Sequence, residues 1–565
     1  MLAAESSGSG LLESEVTIIL LLAVAAFVAV AARAFRFPFT VALVVVGLGL
    51  AFLPEGLLEV NVSADLILAV LVPPLLFEGT LHISWRRFRA DLVPVTLLAV
   101  VGTLLGTFIV AAFVHQLVDD VPWSAAIAFG ALISATDPVA VIAFFRSIGV
   151  SKRLTILVEG ESLLNDGVSF VIFTLALGAA APGATFSLAG AFGEFVLIAF
   201  GGLAVGIVMG YIVSVLILRN LDDHLIETSV TVALAFGSYL LAEEFGVLIG
   251  YPQTHLSGIL AVVAAGLMVG NIGLHNTSPT TRLTLQNFWE FLSFVVNSMV
   301  FLLLGLEIDI TALPAEAAAV GVAVLAILVS RFLVVYGLGA AHGRLQPERR
   351  IPTRFKHVMY WGGLRGAISV GLALSLVSQV DVLGADRVSR LQLMTFGVVL
   401  FTLLIQGLTI EKLVRRLGLA ERSDAAIEQQ RAQARLYANR AGQRELARLH
   451  NEGILFRDLW TAMNKHYETE IDVAADNLRH HLQVHPELQT DMYLTARVDA
   501  LRAERQALQD AARRGLISEH VLEELTLEVN NHLAALDFME SDAEQGETVA
   551  TEASDVRLDD PEHPI

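Results

Sequence analysis

Long apolar runs separated by short polar segments fill the chain up to about residue 415, and beyond that point the pattern changes. Runs of about 17–25 mainly apolar residues read as helices that cross a bilayer. Thirteen can be placed, at 15–33, 38–53, 62–80, 92–118, 123–146, 152–180, 189–218, 225–243, 256–270, 288–306, 316–340, 355–377 and 391–414. After Gly418 apolar residues recur at helical spacing between charged ones, which predicts a small bundle of three or four helices. The expected organisation is a short extracytoplasmic segment over 1–14, a transmembrane domain over 15–417, a cytoplasmic helical regulatory domain over 418–540 and an acidic disordered tail over 541–565. The fold class is an all-α polytopic membrane protein.

Loop charges give the orientation, because Lys and Arg concentrate on the cytoplasmic side. Alternate loops carry Arg33 and Arg36; Arg86, Arg87 and Arg89; Arg146, Lys152 and Arg153; Arg219; Arg282; then a cluster from Arg344 to Lys356. The opposite set has only Arg387 and Arg390. The N-terminus is therefore expected outside and the C-terminal region in the cytoplasm. The sequence MLAAESSGSGLLESE lacks the basic start of a signal peptide, so the first apolar run reads as a retained span.

Thirteen spans suit two inverted six-helix repeats joined by a linking helix, a plan in which interrupted helices at corresponding positions mark the transport site. Span five contains Ser134-Ala135-Thr136-Asp137-Pro138, and proline removes an amide donor and clashes with the preceding turn, so a break is expected there. Its counterpart, span twelve, reads HVMYWGGLRGAISVGLAL, with three glycines and Arg365 in its middle. Glycines for close helix packing would explain the glycines but not the arginine.

Composition agrees with a membrane protein: 55% of the 565 residues are hydrophobic and the mean hydropathy is positive. The formal net charge of −20 leaves no nucleic-acid footprint, and residues 541–565 hold eight acids against the single base Arg557. With no cysteine there is neither a disulfide framework nor a thiolate site. His480, His481 and His485 could bind a metal, but they read first as surface histidines on a polar helix, since a metal site needs three or four convergent ligands.

The chemistry sits in spans five and six. Asp137, Glu159, Glu161 and Asp166 lie in consecutive apolar segments, although a carboxylate at the centre of a membrane helix costs at least about 2.5–3.5 kcal/mol. Such acids mark an ion or proton path. Ser162 and Asp166 share one helix face, as do Glu161 and Asn165. Carboxylates, a hydroxyl and the open carbonyls of a broken helix are hard oxygen ligands for small cations. A buried carboxylate also binds a proton near neutral pH, so proton and cation would compete for one site.

The break at Thr136-Asp137-Pro138, the run Glu161-Ser-Leu-Leu-Asn-Asp166 and GGLRGAISV together closely resemble the NhaP/NHE-type monovalent cation/proton antiporters over residues 15–415. The resemblance implies Na+/H+ exchange in the cell membrane, with K+ or Li+ as alternative cations, a homodimer, and no cofactor besides the transported ions. It implies that Asp166 is the principal ion- and proton-carrying carboxylate. Asp137, Ser162 and Thr136 would complete the Na+ site, with Glu78 approaching from the cytoplasmic side. Glu161 would pair with Arg331 or, as second choice, Arg365. Asn165 before Asp166 implies electroneutral one-for-one exchange. Three rivals stand beside this: a channel, which needs an open pore; an ion sensor acting through the helical region; and an intramembrane aspartyl protease. That protease class places Tyr before one aspartate and Gly-x-Gly before the other, where this chain has Thr136 and Leu163-Leu164-Asn165.

Overall fold

A computed structural model describes residues 19–532, apart from 33, 35–37, 53–65, 182–186, 222, 252–253, 309, 420, 485, 519, 523 and 530–531. The expected segments 1–14 and 541–565, and His485, lie outside the described residues. Every regular element among the described residues is helical. The chain divides into two compact units, one of residues 1–147 and 152–417, the other of 148–151 and 418–565.

The helices of the first unit that bear on the site are α1 (Phe39–Leu50), α2 (Val72–Leu81), α3 (Thr103–Leu117), α4 (Trp123–Ser134), α5 (Val139–Ile148), α6 (Lys152–Ala180), α7 (Leu188–Tyr211), α8 (His224–Glu243), α9 (Gly258–Met268), α10 (Pro279–Glu307), α11 (Ala317–Phe332), α12 (Thr353–Trp361), α13 (Ala367–Ser375) and α14 (Ala385–Phe401). Nine helical stretches among the described residues are long and apolar enough to cross a membrane, and four shorter apolar ones begin at Ile19, Phe39, Ile67 and Ala367. α10 starts nine residues before the expected limit of 288, because Ser278 accepts from the Thr281 amide at 3.1 Å and Pro279 occupies the first turn, where its missing amide costs nothing. Hydropathy alone passes over this polar opening turn.

Both expected interruptions are present. α4 ends at Ser134, residues 135–138 are non-helical, and α5 starts at Val139. α12 ends at Trp361, residues 363–366 are non-helical, and α13 starts at Ala367. α6, which carries Glu159, Glu161 and Asp166, runs unbroken for 29 residues.

Small residues let the helices approach closely, as in membrane interiors generally. Gly202, Gly206 and Gly210 form a stripe along α7 that meets α9, and a Cβ on Gly206 would lie 2.0 Å from the Ala261 carbonyl oxygen. α1 and α10 meet in the same way at Gly47 and Gly305.

Two arginine clasps tie this unit together. Arg153 donates from Nε to Asp91 at 3.2 Å and from Nη2 to the Arg349 carbonyl at 2.9 Å. Arg390 donates from Nε to Glu316 at 3.2 Å and from Nη1 to the Asp119 carbonyl at 2.9 Å. Arg387 pairs with Asp120, holding that carboxyl below its ordinary range by a direct hydrogen bond. The two arginines that depart from the loop alternation are thus both ion-paired.

In the second unit, helices Glu421–Asn451 and Arg457–Val484 pack side by side, and a third follows over Pro486–Arg513. The first two are pinned at their turn by His450 stacked on Trp460, with ring centroids 4.7 Å apart. Gly515, at φ +71°, sits just past the end of the third helix.

Candidate functional site

The two helix breaks touch. The Asp137 amide donates to the Leu364 carbonyl at 2.8 Å, so a main-chain hydrogen bond joins one interruption to the other. Three of the helix ends left open by the breaks, the α4 end, the α5 start and the α12 end, meet a side chain. Arg365 donates through Nη1 to the carbonyls of Ser134 and Ala135, both at 2.9 Å, which places a cation at the negative end of α4. Ser369 adds a donor to the Leu132 carbonyl at 2.8 Å. At the start of α5 the Asp137 carboxylate accepts from the Val139 amide at 2.8 Å. Arg331 donates to the Met359 carbonyl near the end of α12 at 3.0 Å. Unpaired backbone at this depth would be costly, and here it is buried in protein and bonded.

Gly366 is fixed by this crossing. A Cβ there would fall 2.0 Å from Oδ2 of Asp137, so only glycine leaves room for the carboxylate against the start of α13. The α13 N-terminus carries a positive partial charge that suits an acid at that place.

α6 is docked to the break through neutral hydrogen bonds. Asn165 donates from Nδ2 to Oγ1 of Thr136 at 2.7 Å, and its Oδ1 lies 3.4 Å from the Thr136 amide. The hydroxyls of Thr136 and Ser162 are 3.0 Å apart. One helical turn away, Glu161 and Arg331 form a two-pronged pair, with Nη2 to Oε2 at 3.0 Å. Of the two arginines weighed from the sequence as partners of Glu161, Arg331 makes the contact and Arg365 holds the carbonyls of the break.

A cavity of about 670 Å³ opens beside the crossing. Thr136, Asp137, Asp166, Glu159 and Glu78 all line it. Glu78, on α2, is half-buried and lies 3.3 Å from His82 Nε2 one turn along. Ser162 and Asn165 are not among its lining residues; they reach the site through Thr136. The second wall of the cavity comes from α1 and α10, with Thr40, Glu290 and Asn297, and Glu411 also lines it. Reading carboxylates in spans five and six misses these; Glu290, an acid at the start of span ten, was the available signal, and the neutral Thr40 and Asn297 gave none.

The transmembrane sodium/hydrogen exchanger family model matches residues 19–416. The chain belongs to that family. Among curated relatives, this exchanger is 40% identical over 393 residues to the Na+/H+ antiporter ApNhaP of Aphanothece halophytica, covering 69% of this chain and 71% of that one. It is 32% identical to the low-affinity Na+/H+ antiporter NhaS1 of Synechocystis, covering 84% and 88%, and 36% identical to the Na+/H+ antiporter NhaP of Pseudomonas aeruginosa, covering 63% and 81%. In fold the exchanger is similar to the sodium proton antiporter MjNhaP1 of Methanocaldococcus jannaschii, with a TM-score of 0.58 at 20% identity, covering 72% of this chain and 99% of that one.

Proposed function

We propose that this exchanger moves a monovalent cation, Na+ by kinship with the antiporters named above, against a proton, and that both use Asp166. The observation that carries the reading is that Asp137 from a broken helix and Asp166 from a continuous one line the same cavity at the point where two helix breaks meet. Two carboxylates beside the Thr136 oxygens offer hard ligands to a small cation. The same carboxylates take a proton when the cation leaves, so exchange follows from competition for one place.

Ser162 and Asn165 act in this scheme by holding Thr136 and the break at a fixed distance from Asp166. Glu78 receives the cation from the cytoplasmic side. Because Asn165 is a neutral tether, Asp166 is the main titrating group, and one proton per cation is the natural count. The clasps are placed as an inverted repeat requires: in each, an arginine at the start of one helix binds the acid at the start of another and a carbonyl in a third loop. That supports two related halves; thirteen spans, an external N-terminus and a cytoplasmic regulatory unit after Leu417 belong to the same proposal. A homodimer in the cell membrane completes the proposal.

The test is dissipation of an imposed pH gradient in vesicles holding the purified chain, on adding the chlorides of Na+, Li+ and K+ in turn. Dissipation by Na+ but not by choline supports exchange. A conductance that carries the cation without moving protons would instead make the protein a channel.

A further inference from the structure

Two oxygen atoms on the second wall of the cavity have no hydrogen-bond partner among the described residues: Oδ1 of Asn297 and Oγ1 of Thr40. Asn297 is 7% and Thr40 5% exposed, and both line the cavity that holds Asp137 and Asp166. A buried acceptor left unpaired costs about 1–3 kcal/mol, so two of them lining one cavity call for a partner that occupies the cavity.

The wall that carries them is rigid. α1 and α10 are packed backbone to backbone at Gly47 and Gly305, where a Cβ on Gly47 would lie 2.3 Å from the Leu302 carbonyl oxygen. The Phe39 and Phe294 rings stack with centroids 5.2 Å apart, one residue before Thr40 and one helical turn before Asn297. Both polar side chains are therefore held in place rather than left to find partners elsewhere.

An amide oxygen and a hydroxyl are hard, neutral donors that suit a small monovalent cation or its retained water. We propose that Thr40 and Asn297 are the neutral half of the cation site, binding the ion or its hydration water from the α1/α10 wall and setting which monovalent cation is accepted. This rests on the exchange reading above and extends it. Neither oxygen titrates in the working range, so its contribution to cation affinity is independent of pH, whereas that of Asp166 falls as protons compete.

That difference is the test. Apparent KM values for Na+, Li+ and K+ are measured in proteoliposomes at several pH values for the wild type, Asn297→Ala, Thr40→Val and Thr40→Ser. The expected result is a rise in Na+ KM of about three- to tenfold in Asn297→Ala and Thr40→Val, by the same factor at every pH. The Na+ to Li+ to K+ preference shifts with it, kcat changes little, and Thr40→Ser restores wild-type behaviour. A thermal shift of the purified variants in NaCl against choline chloride reports binding without transport and is expected to shrink. KM values and preference within twofold of wild type in both variants would overturn the proposal, as would a Thr40→Ser variant as impaired as Thr40→Val, which would mark a packing role. A wild-type chain that does not exchange at all would sink the exchange reading too, whereas an active wild type with unchanged variants sinks this inference alone.

Discussion

The Asp137 amide and the Leu364 carbonyl, 2.8 Å apart, tie two interrupted helices into one crossing. The contact places the carboxylate of Asp137 where a side chain on Gly366 would stand. The backbone bond and the bare glycine are therefore one device: the first brings the breaks together, and the second leaves the acid room.

Gly366→Ala should disable the protein without removing a polar group. The added methyl lies 2.0 Å from Oδ2 of Asp137, well inside contact distance, and overpacking of this kind costs about 1–3 kcal/mol or displaces the acid. Exchange is expected to fall at least about tenfold, since displacements near 1 Å at a reacting site have effects of that order or more. Vesicle assays on the folded variant check this; near wild-type rates would show that the Asp137 position is not critical.

Asp166→Asn is expected to abolish both cation-driven proton movement and cation binding while the fold survives, because a neutral amide costs less inside the membrane than the acid it replaces. The thermal melt should match the wild type in choline chloride and lose its response to NaCl. A retained response would move the carrier role to Asp137.

Glu161 and Arg331 should behave as a coupled pair. Breaking a buried ion pair commonly costs about 3–5 kcal/mol through the partner left behind. Arg331→Ala is expected to be the worse of the two, because it strands Glu161, whose side chain is 2% exposed, whereas Arg331 keeps the Met359 carbonyl when Glu161 is lost. The double variant should be less unstable than the sum of the singles. Strictly additive melting shifts would deny the coupling.

The proposed competition between cation and proton fixes the sign of the pH dependence. As pH falls, protons fill the shared carboxylate, so the apparent cation affinity should weaken by up to about tenfold per pH unit for one competing proton, and saturating cation should restore the rate. With Asn165 in place, clamping the membrane potential with an ionophore should alter the rate little. A cation affinity flat across pH would refute the shared site, and strong voltage dependence would refute one-for-one exchange.

Arg390→Glu should loosen the clasp by breaking its ion pair with Glu316 and its hydrogen bond to the Asp119 carbonyl, and Arg390→Glu with Glu316→Arg should recover part of the loss. Because the pair is partly exposed, the thermal effect is expected to be about 1 kcal/mol or less and to shrink at high salt. Unequal salt response of single and double variants checks this.

Several features of this protein were set by local chemistry and so were legible in the sequence. Apolar runs must satisfy their own backbone in lipid, which gave the apolar helices; proline after Asp137 and three glycines clustered around Arg365 weaken a helix locally, which pointed to both breaks. Acids in apolar runs pointed to the candidate site because their cost demands a reason. What only the tertiary structure decided is who answers whom across the chain. Arg331 and Arg365 are both cations among apolar residues, and nothing local assigns one to Glu161 and the other to the carbonyls of Ser134 and Ala135. Thr40 and Asn297 are cheap residues to place in a membrane helix and give no signal alone; they matter because α1 and α10 set them on the wall of the cavity that holds Asp137 and Asp166. Hydropathy and helix breaking are properties of neighbours in sequence, whereas a binding site is a property of neighbours in space.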